Sequence, residues 1–534
     1  MSNAKQIIKR YERLKSDRGT LESHWQEIAE RVMPNFSGAF DGSDDTKGDK
    51  RTSKMFDATA SHGLERFAAA MESMLTPRNS KWHRLTPSDP VLAKSRNVSL
   101  WFEEVTRLLF AMRYSPRANF ASQMHEKYMS LGAFGTAGMF VDERAGGGIR
   151  YHTLNLARVF FAENHDGIVD TMFRTLEYTA RQAVQRWGKD RLPPAIVSAF
   201  EKDPDKPFKF LHAVMPREDV QHGRMDYKGM PFASYYVALD TQSVVSEGGY
   251  HAFPVPISRY VTGPGEVYGR SPAMLALPAI KTLNEQKKTL LKQGHRAVDP
   301  VLLLADDGVI STFNMRPGAL NHGAMTAEGK RLVDILPTGN VAVGHQMMEM
   351  ERQDINEAFL VTLFQILVDT PQMTATEVLE RAREKGALLS PTMGRQQSES
   401  LGPLIERELD IMARQGLLPE MPPELVEAQG EYTIEYDSPL SRAQKAEEAA
   451  GMFRAMEFAT AYATQTGDPS AFDHIDVDIA MPEIMTINAV PERWKRSAES
   501  IQALREQRAQ TQQTQQMIEA APAVSSVIKT QSQV

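Results

Sequence analysis

Apolar positions in the first 130 residues recur at helical spacing. Ile7, Ile8, Tyr11 and Leu14 share one face, and Leu21, Trp25, Ile28 and Val32 share another. Pro34 ends this region, since proline has no amide to donate and its ring clashes with the preceding turn. Residues 36–53, rich in Gly, Asp and Ser, predict a loop. Leu64, Phe67, Ala68, Met71, Met74 and Leu75 predict a further helix, stopped by Pro77. Trp101, Val105, Leu108 and Met112 predict another, and Phe120, Met124, Tyr128 and Leu131 a fourth.

Strand-like runs follow. Residues 139–141 and 150–153, around Gly146, Gly147 and Gly148, predict a hairpin. Residues 208–214, 234–239 and 250–255 predict strands, interrupted by a helix at 179–187. A long helical pattern then covers 271–298, broken by Pro278 near its start and closed by Pro300. Residues 301–344 read as loop and strand. A second long helix is expected over 345–368, with a very apolar end at Phe359, Leu360, Leu363, Phe364, Ile366 and Leu367. Thr370 and Pro371 terminate it, and Thr374 to Glu377 has the form of a capping box that starts another helix. Two more helices flank a Pro-rich link at 418–423, and 493–519 reads as a Gln-rich helical tail before an expected disordered end.

The fold class is therefore α+β, mainly α. A helix of about 25 residues is roughly 37 Å long. Two such helices packed antiparallel put the intervening segment at one far end and residues 369–374 at the other. Repeated around a ring, that hairpin forms a tube.

Composition narrows the function. The 534 residues allow roughly three or four domain-sized pieces. There is no cysteine, which excludes disulfides, thiolate metal sites and thiol nucleophiles. The 13 histidines are scattered, without the spacing of a helical zinc site. No GxxxxGK[ST] phosphate loop or GxSxG nucleophile elbow occurs. Gly263, Pro264 and Gly265 read as a turn, since Pro264 removes an amide that a dinucleotide loop would aim at phosphate. The acidic 41–49 loop has Thr46 where an EF-hand needs glycine, so it reads as solvated rather than calcium-binding. No apolar run approaches the roughly 18 residues of a membrane span. The polar first ten residues lack an apolar signal core, and a protein made and assembled in the cytoplasm is expected. No cofactor is expected. The net charge of −7 argues against tight DNA binding, which rests on phosphate neutralisation, but suits a wall that DNA must slide past.

Five stretches carry a family resemblance. They are MESMLTPRNSKWHRLTP (71–87), SLGAFGTAGMFVDE (130–143) and FFAENHDGIVDTMFRTLEYTARQAVQRWG (160–188), then YGRSPAMLALPAIKTLNEQKKTLLKQGHRAVDPVLL (268–303) and TPQMTATEVLERAREK (370–385). In that order and spacing the chain resembles the bacteriophage portal, or head-to-tail connector, family, in its short-tailed phage branch. The resemblance implies a wing over 1–270, stem helices over 271–300 and 345–368, and a clip over 301–344. It implies a tunnel loop and following helix over 369–390, and a crown with its tail over 391–534. It further implies a ring of roughly a dozen copies at one capsid vertex of the virion. Such a ring is a passive channel for packaging and ejecting double-stranded DNA. Its expected partners are the large terminase, the tail adaptor, and coat and scaffold proteins, with no membrane.

Candidate residues follow. Lys281, Lys288 and Lys292 lie within about 20° of one face of the first long helix, with Glu285 nearby. They are either a lysine stripe facing DNA or a solvated face with an internal ion pair. The resemblance assigns Asp369, Thr370, Pro371, Gln372, Met373 and Thr374 to the tunnel loop. Leu360, Leu363, Phe364 and Leu367 are expected at subunit contacts, because one hairpin cannot bury them on itself. The competing reading is a metal-dependent nucleic-acid-processing enzyme. It requires two or three converging carboxylates, for which the sequence has no compact motif.

Overall fold

The structure, a computed structural model, describes residues 3–40, 42, 48, 50–144, 146–304, 313–337, 341–362, 391–428, 430–437, 439–467, 469–474, 476–487, 490, 492–497 and 499–512. The chain is α+β and forms two compact units, Met1–Arg78 with Arg113–Gln415, and Asn79–Met112 with Gly416–Val534.

The first unit begins with α1 (Asn3–Asp17), α2 (Gly19–Arg31) and α3 (Thr59–Leu75), and resumes with α5 (Phe120–Phe134). The predicted apolar faces are the buried ones: Ile7 and Ile8, Trp25 and Ile28, Leu64, Phe67 and Met71, and Met124, Tyr128 and Leu131. Trp25 Nε1 donates to the Phe134 carbonyl at 3.1 Å, so a buried indole keeps a partner. Gly135 ends α5 in the left-handed region at φ 75, and its amide donates to the Leu131 carbonyl. A Cβ there would lie 2.3 Å from the Gly269 carbonyl oxygen, so only glycine fits.

An antiparallel five-stranded sheet runs in the order β4 (Val159–Glu163), β5 (Val169–Thr179), β6 (Pro207–Pro216), β7 (Phe232–Ala238) and β8 (Ser243–Tyr250). Alternating side chains supply two cores. Phe160, Phe173, Leu211, Ala213 and Val237 meet Ala4, Ile7 and Ile8 of α1. Phe208, Phe210, Tyr236, Ala238 and Val245 cluster with residues of α6 (Ala180–Trp187) and α7 (Pro194–Lys202). Thr179 and Gln182 form a reciprocal capping box at the start of α6. A second sheet orders β3 (Ile149–Thr153), β2 (Thr136–Glu143) and β9 (Ile257–Arg259). The predicted 139–153 hairpin is the β2–β3 pair, with Met139 opposite Thr153.

Two sequence expectations change here. The strand expected at 250–255 lies at Ser243–Tyr250 instead. Pro254 and Pro256 cannot donate to a ladder, yet their carbonyls accept from Val141 and Met139 of β2. The helix over 271–298 is not broken by Pro278: α8 (Pro272–Val298) runs through it. Pro278 forfeits one amide bond, while Ser271 Oγ caps the Met274 amide at 3.0 Å and Pro272 sits at the first helical position.

Short pairs β10 (Val261–Thr262) with β11 (Gly269–Arg270), and β12 (Leu302–Leu304) with β13 (Val333–Ile335), flank α8 in sequence. The turn between β10 and β11 carries Gly265 at φ 73, with the Glu266 amide donating to Gly263. The second long helix, α9, spans Val341–Ala358 and so ends before the expected boundary. Leu360 is left-handed at φ 58, which an α-helix cannot contain. A π turn at Gln397–Leu401 leads into α10 (Gly402–Arg414).

In the second unit, β1 (His83–Pro87) pairs antiparallel with β14 (Tyr432–Tyr436), His83 opposite Tyr436. Leu85 and Trp82 are buried beside α4 (Arg96–Arg113), and the Leu85 amide donates to Thr106 Oγ1 at 3.2 Å. Trp101 Nε1 donates to the Pro419 carbonyl at 3.2 Å. Helices at Pro423–Glu427, Pro439–Thr466 and Val477–Ile487 follow, and residues 499–512 are helical.

Candidate functional site

The feature best placed to do something other than fill a core is the α8–α9 hairpin. Near its far end, Gly344 of α9 lies against Leu290 of α8, where a Cβ would be 3.0 Å from Leu290 Cδ1. Nearer the body, Asn284 of α8 and Arg352 of α9 both reach the segment before α3. The two helices therefore run antiparallel. The β12–β13 pair lies within the segment connecting α8 to α9.

Three contacts anchor the hairpin. Asn284 Oδ1 accepts from the amides of Phe56 and Asp57, at 2.7 and 3.1 Å. Arg352 donates to Asp57 at 2.8 Å. Asp57 also accepts from the Thr59 amide and hydroxyl. Burial pushes the Asp57 carboxyl up, but the Arg352 and Thr59 bonds outweigh it and hold it below its ordinary value. Phe359, at the end of α9, is fully buried against Gly63 of α3.

Away from these anchors the hairpin carries exposed apolar side chains among its polar ones. Leu291, Val298, Leu303, Leu304, Met347 and Met350 are all exposed. A groove of about 620 Å³ between the helices is lined by Lys281, Glu285, Gln286, Leu290, Gly344 and Met347, among others.

The predicted lysines share the expected helix, but their charges are unequally available. Lys281 donates to Glu27 of α2 at 2.9 Å, and that bond holds the Glu27 carboxyl below its ordinary value. Lys288 meets Glu285 at 3.5 Å and lies 5.8 Å from the Phe56 ring centroid. Lys292 is exposed and makes no ion pair among the described residues. Of the expected subunit-contact residues, Leu360 is half-buried. Leu363, Phe364 and Leu367 lie outside the described residues, as does the whole of Asp369, Thr370, Pro371, Gln372, Met373 and Thr374, with the box at Thr374 to Glu377.

Sequence reasoning missed Asp57, Asn284 and Arg352. Asn284 carried a signal, since it stands beside Leu283 and Ile280 on the apolar face of α8. It also missed the polar interior behind α10. Arg113 and Glu408 form an ion pair with no solvent exposure, and the Tyr151 hydroxyl donates to the same carboxylate. Burial alone would lower the Arg113 pKa; Glu408 reverses this and raises it. Arg259 binds Glu163 and Glu399, and Arg407 binds Asp410. The Arg113–Glu408 pair, with Arg407 donating to the Val141 carbonyl of β2, fixes where α10 sits. Among the described residues no three His, Asp or Glu side chains are grouped to hold a metal ion, and no helix is long and apolar enough to cross a membrane.

Residues 4–494 match the family described as bacteriophage head to tail connecting protein. A probable portal protein of Bordetella phage BPP-1 is 30% identical over 450 residues, 83% of this chain and 80% of that protein. The portal protein of Salmonella phage epsilon15 is 28% identical over 505 residues, 93% of this chain and 90% of that protein. Among solved structures, the neck of a native gene transfer agent particle, computed with C12 symmetry, matches at 13% identity and a TM-score of 0.33, over 73% of this chain and 84% of that one. The family match extends over nearly the whole described sequence, and the chain belongs to the bacteriophage head to tail connecting proteins.

Proposed function

We propose that this portal subunit closes into a ring of roughly a dozen copies at one capsid vertex, with the α8–α9 hairpins side by side around a channel for double-stranded DNA. In this reading 1–270 is the wing, 271–300 and 345–368 the stem and 301–344 the clip. Residues 369–390 form the tunnel loop with its following helix, and 391–534 the crown and tail. The protein is not an enzyme. The energy for moving DNA comes from a large terminase docked on the ring, and a tail adaptor, coat and scaffold proteins are its other partners. Nothing in the sequence, the fold or the relatives favours the metal-dependent enzyme.

The observation that carries the ring is the number of large apolar side chains that the hairpin and its connecting segment leave exposed. A monomer in water would expose Leu291 and Val298 of α8, Met347 and Met350 of α9, and Leu303 and Leu304 of the connecting segment, and large apolar side chains left in water in that number favour an interaction surface. Side-by-side hairpins cover it. Native mass spectrometry tests the proposal: closed rings near a dozen copies, formed without nucleotide, are the expected result. A stable monomer at micromolar concentration overturns it.

A further inference from the structure

A cavity of about 980 Å³ opens where the β4–β5 turn, the β6–β7 loop, the segment after β8 and the helical stretch around 398–406 meet. Its walls include Ile168, Val169, Pro216, Phe232, Phe253 and Val255, and the carboxylates Asp166, Asp170 and Glu406 also line it. Two arginines face it as well, but their charge is already used. Arg217 donates to Glu247 at 3.1 Å and to the Gly248 carbonyl at 3.1 Å, and Arg259 holds Glu163 and Glu399. What Arg217 has left is its Nε–H, which is buried without an acceptor in a side chain only 4% exposed. The cavity is therefore shaped for an apolar anchor with cationic flanks and a carbonyl to meet that donor.

Among the described residues, one turn displays this chemistry with a tryptophan as the anchor. Trp494 ends a short 3-10 turn, Glu492–Trp494, and is 71% exposed. Arg493 precedes it, and Lys495 and Arg496 follow. Tryptophan and arginine are the side chains that most often dominate an interface once buried.

We propose that the Arg493, Trp494, Lys495, Arg496 turn of one copy docks, Trp494 first, into this cavity of a neighbouring copy. The indole meets the apolar wall, the cations meet Asp166, Asp170 and Glu406, and a turn carbonyl accepts from Arg217 Nε. Patch and cavity are different surfaces, so the contact is heterologous, the kind that builds a ring when its rotation closes. This contact rests on the ring reading above.

The absence of native cysteine gives a clean test. Ile168→Cys, at the mouth of the cavity, is combined with Arg496→Cys, which leaves Trp494 in place. Rings are first confirmed by native mass spectrometry, then treated with a short bismaleimide and run on a denaturing gel. A ladder of covalent multimers is expected. Rings that yield only monomers, linked internally or unlinked, overturn the contact while leaving the ring reading intact. Absence of rings overturns both. In a second measurement, Trp494→Ala should raise the concentration at which rings dissociate by about tenfold or more. Its melting as an isolated chain should not change, because Trp494 is already exposed there. An unchanged dissociation concentration would also count against the contact.

Discussion

Gly63 lies directly beneath Phe359: a Cβ on the glycine would stand 3.0 Å from ring Cδ2 and 3.5 Å from the phenylalanine Cβ. The near atoms include the root of the side chain, so the ring cannot simply swing away. The end of α9 is docked on α3 through this notch. Gly63→Ala is therefore expected to destabilise the protein by about 1–3 kcal/mol through overpacking. Phe359→Ala, which empties the same place, is expected to cost about 3–5 kcal/mol. Urea denaturation of both variants measures this. A Gly63→Ala midpoint equal to the parent's would mean that α9 is not seated there.

One residue later the backbone is left-handed, with Leu360 at φ 58. An L-residue with a bulky side chain pays roughly 1–2 kcal/mol for that conformation, whereas asparagine tolerates it. Two small polar replacements separate backbone from side-chain effects. Leu360→Asn is expected to be more stable than Leu360→Thr by about 1 kcal/mol, since the β-branched residue resists positive φ. Thermal midpoints compare them directly, and equal values would argue that α9 continues through this position.

The ion pairs on α8 make the three lysines unequal in any contact with DNA. Lys281 is offset by Glu27 and Lys288 by Glu285, while Lys292 has no such partner among the described residues. Lys292→Gln is expected to lower the salt dependence of duplex binding more than Lys281→Gln. Each phosphate that is no longer neutralised takes roughly 0.9 from the slope of log K against log salt. Binding should be weak and indifferent to sequence. If the triple change at Lys281, Lys288 and Lys292 leaves both slope and packaging at parental values, the stripe is only a solvated face.

How much of this was legible depended on how local the cause was. The helices around Trp25, Phe67 and Tyr128 were plain because each buries one face, which prints a 3.6-residue period on the sequence. β4 and β5 were not, because both their faces are covered: Phe160 and Phe161, like Met172 and Phe173, are adjacent apolar residues without alternation. The lysine face could be drawn from α8 alone. Its partial neutralisation could not, since Glu27 is 254 residues away in the chain. The same holds for Asp57 and Arg352, separated by 295 residues. Pro278 misled because a proline signals an interrupted bond, and the surrounding packing decides whether one bond matters.

Lys127 gives the last prediction. It sits on α5 with no solvent exposure, and its ammonium donates to Ser400 Oγ in the π turn before α10. Burial pulls its pKa down from 10.5 to about 7. Between those values the unfolded chain holds a proton that the folded chain lacks, so stability rises with pH, by at most about 1.4 kcal/mol per unit. The contribution is fully present above the unfolded value, falls away as pH drops below it, and is gone once pH is below about 7. Other groups bound the window. Burial holds His212 neutral, with its pKa well below the ordinary 6.5, so it acts in more acidic solution. Tyr128, Tyr151 and Tyr250 are raised by burial, so they weaken the fold once unfolded tyrosine ionises near 10. The rise should therefore be read between about pH 7 and 9. Lys127→Met should flatten it and should be more stable than the parent at pH 7, because no charge need be buried. Urea midpoints at a few pH values for parent and variant decide the matter. A parent curve already flat across that window would show that Lys127 stays charged in the fold and is stabilised there as a cation.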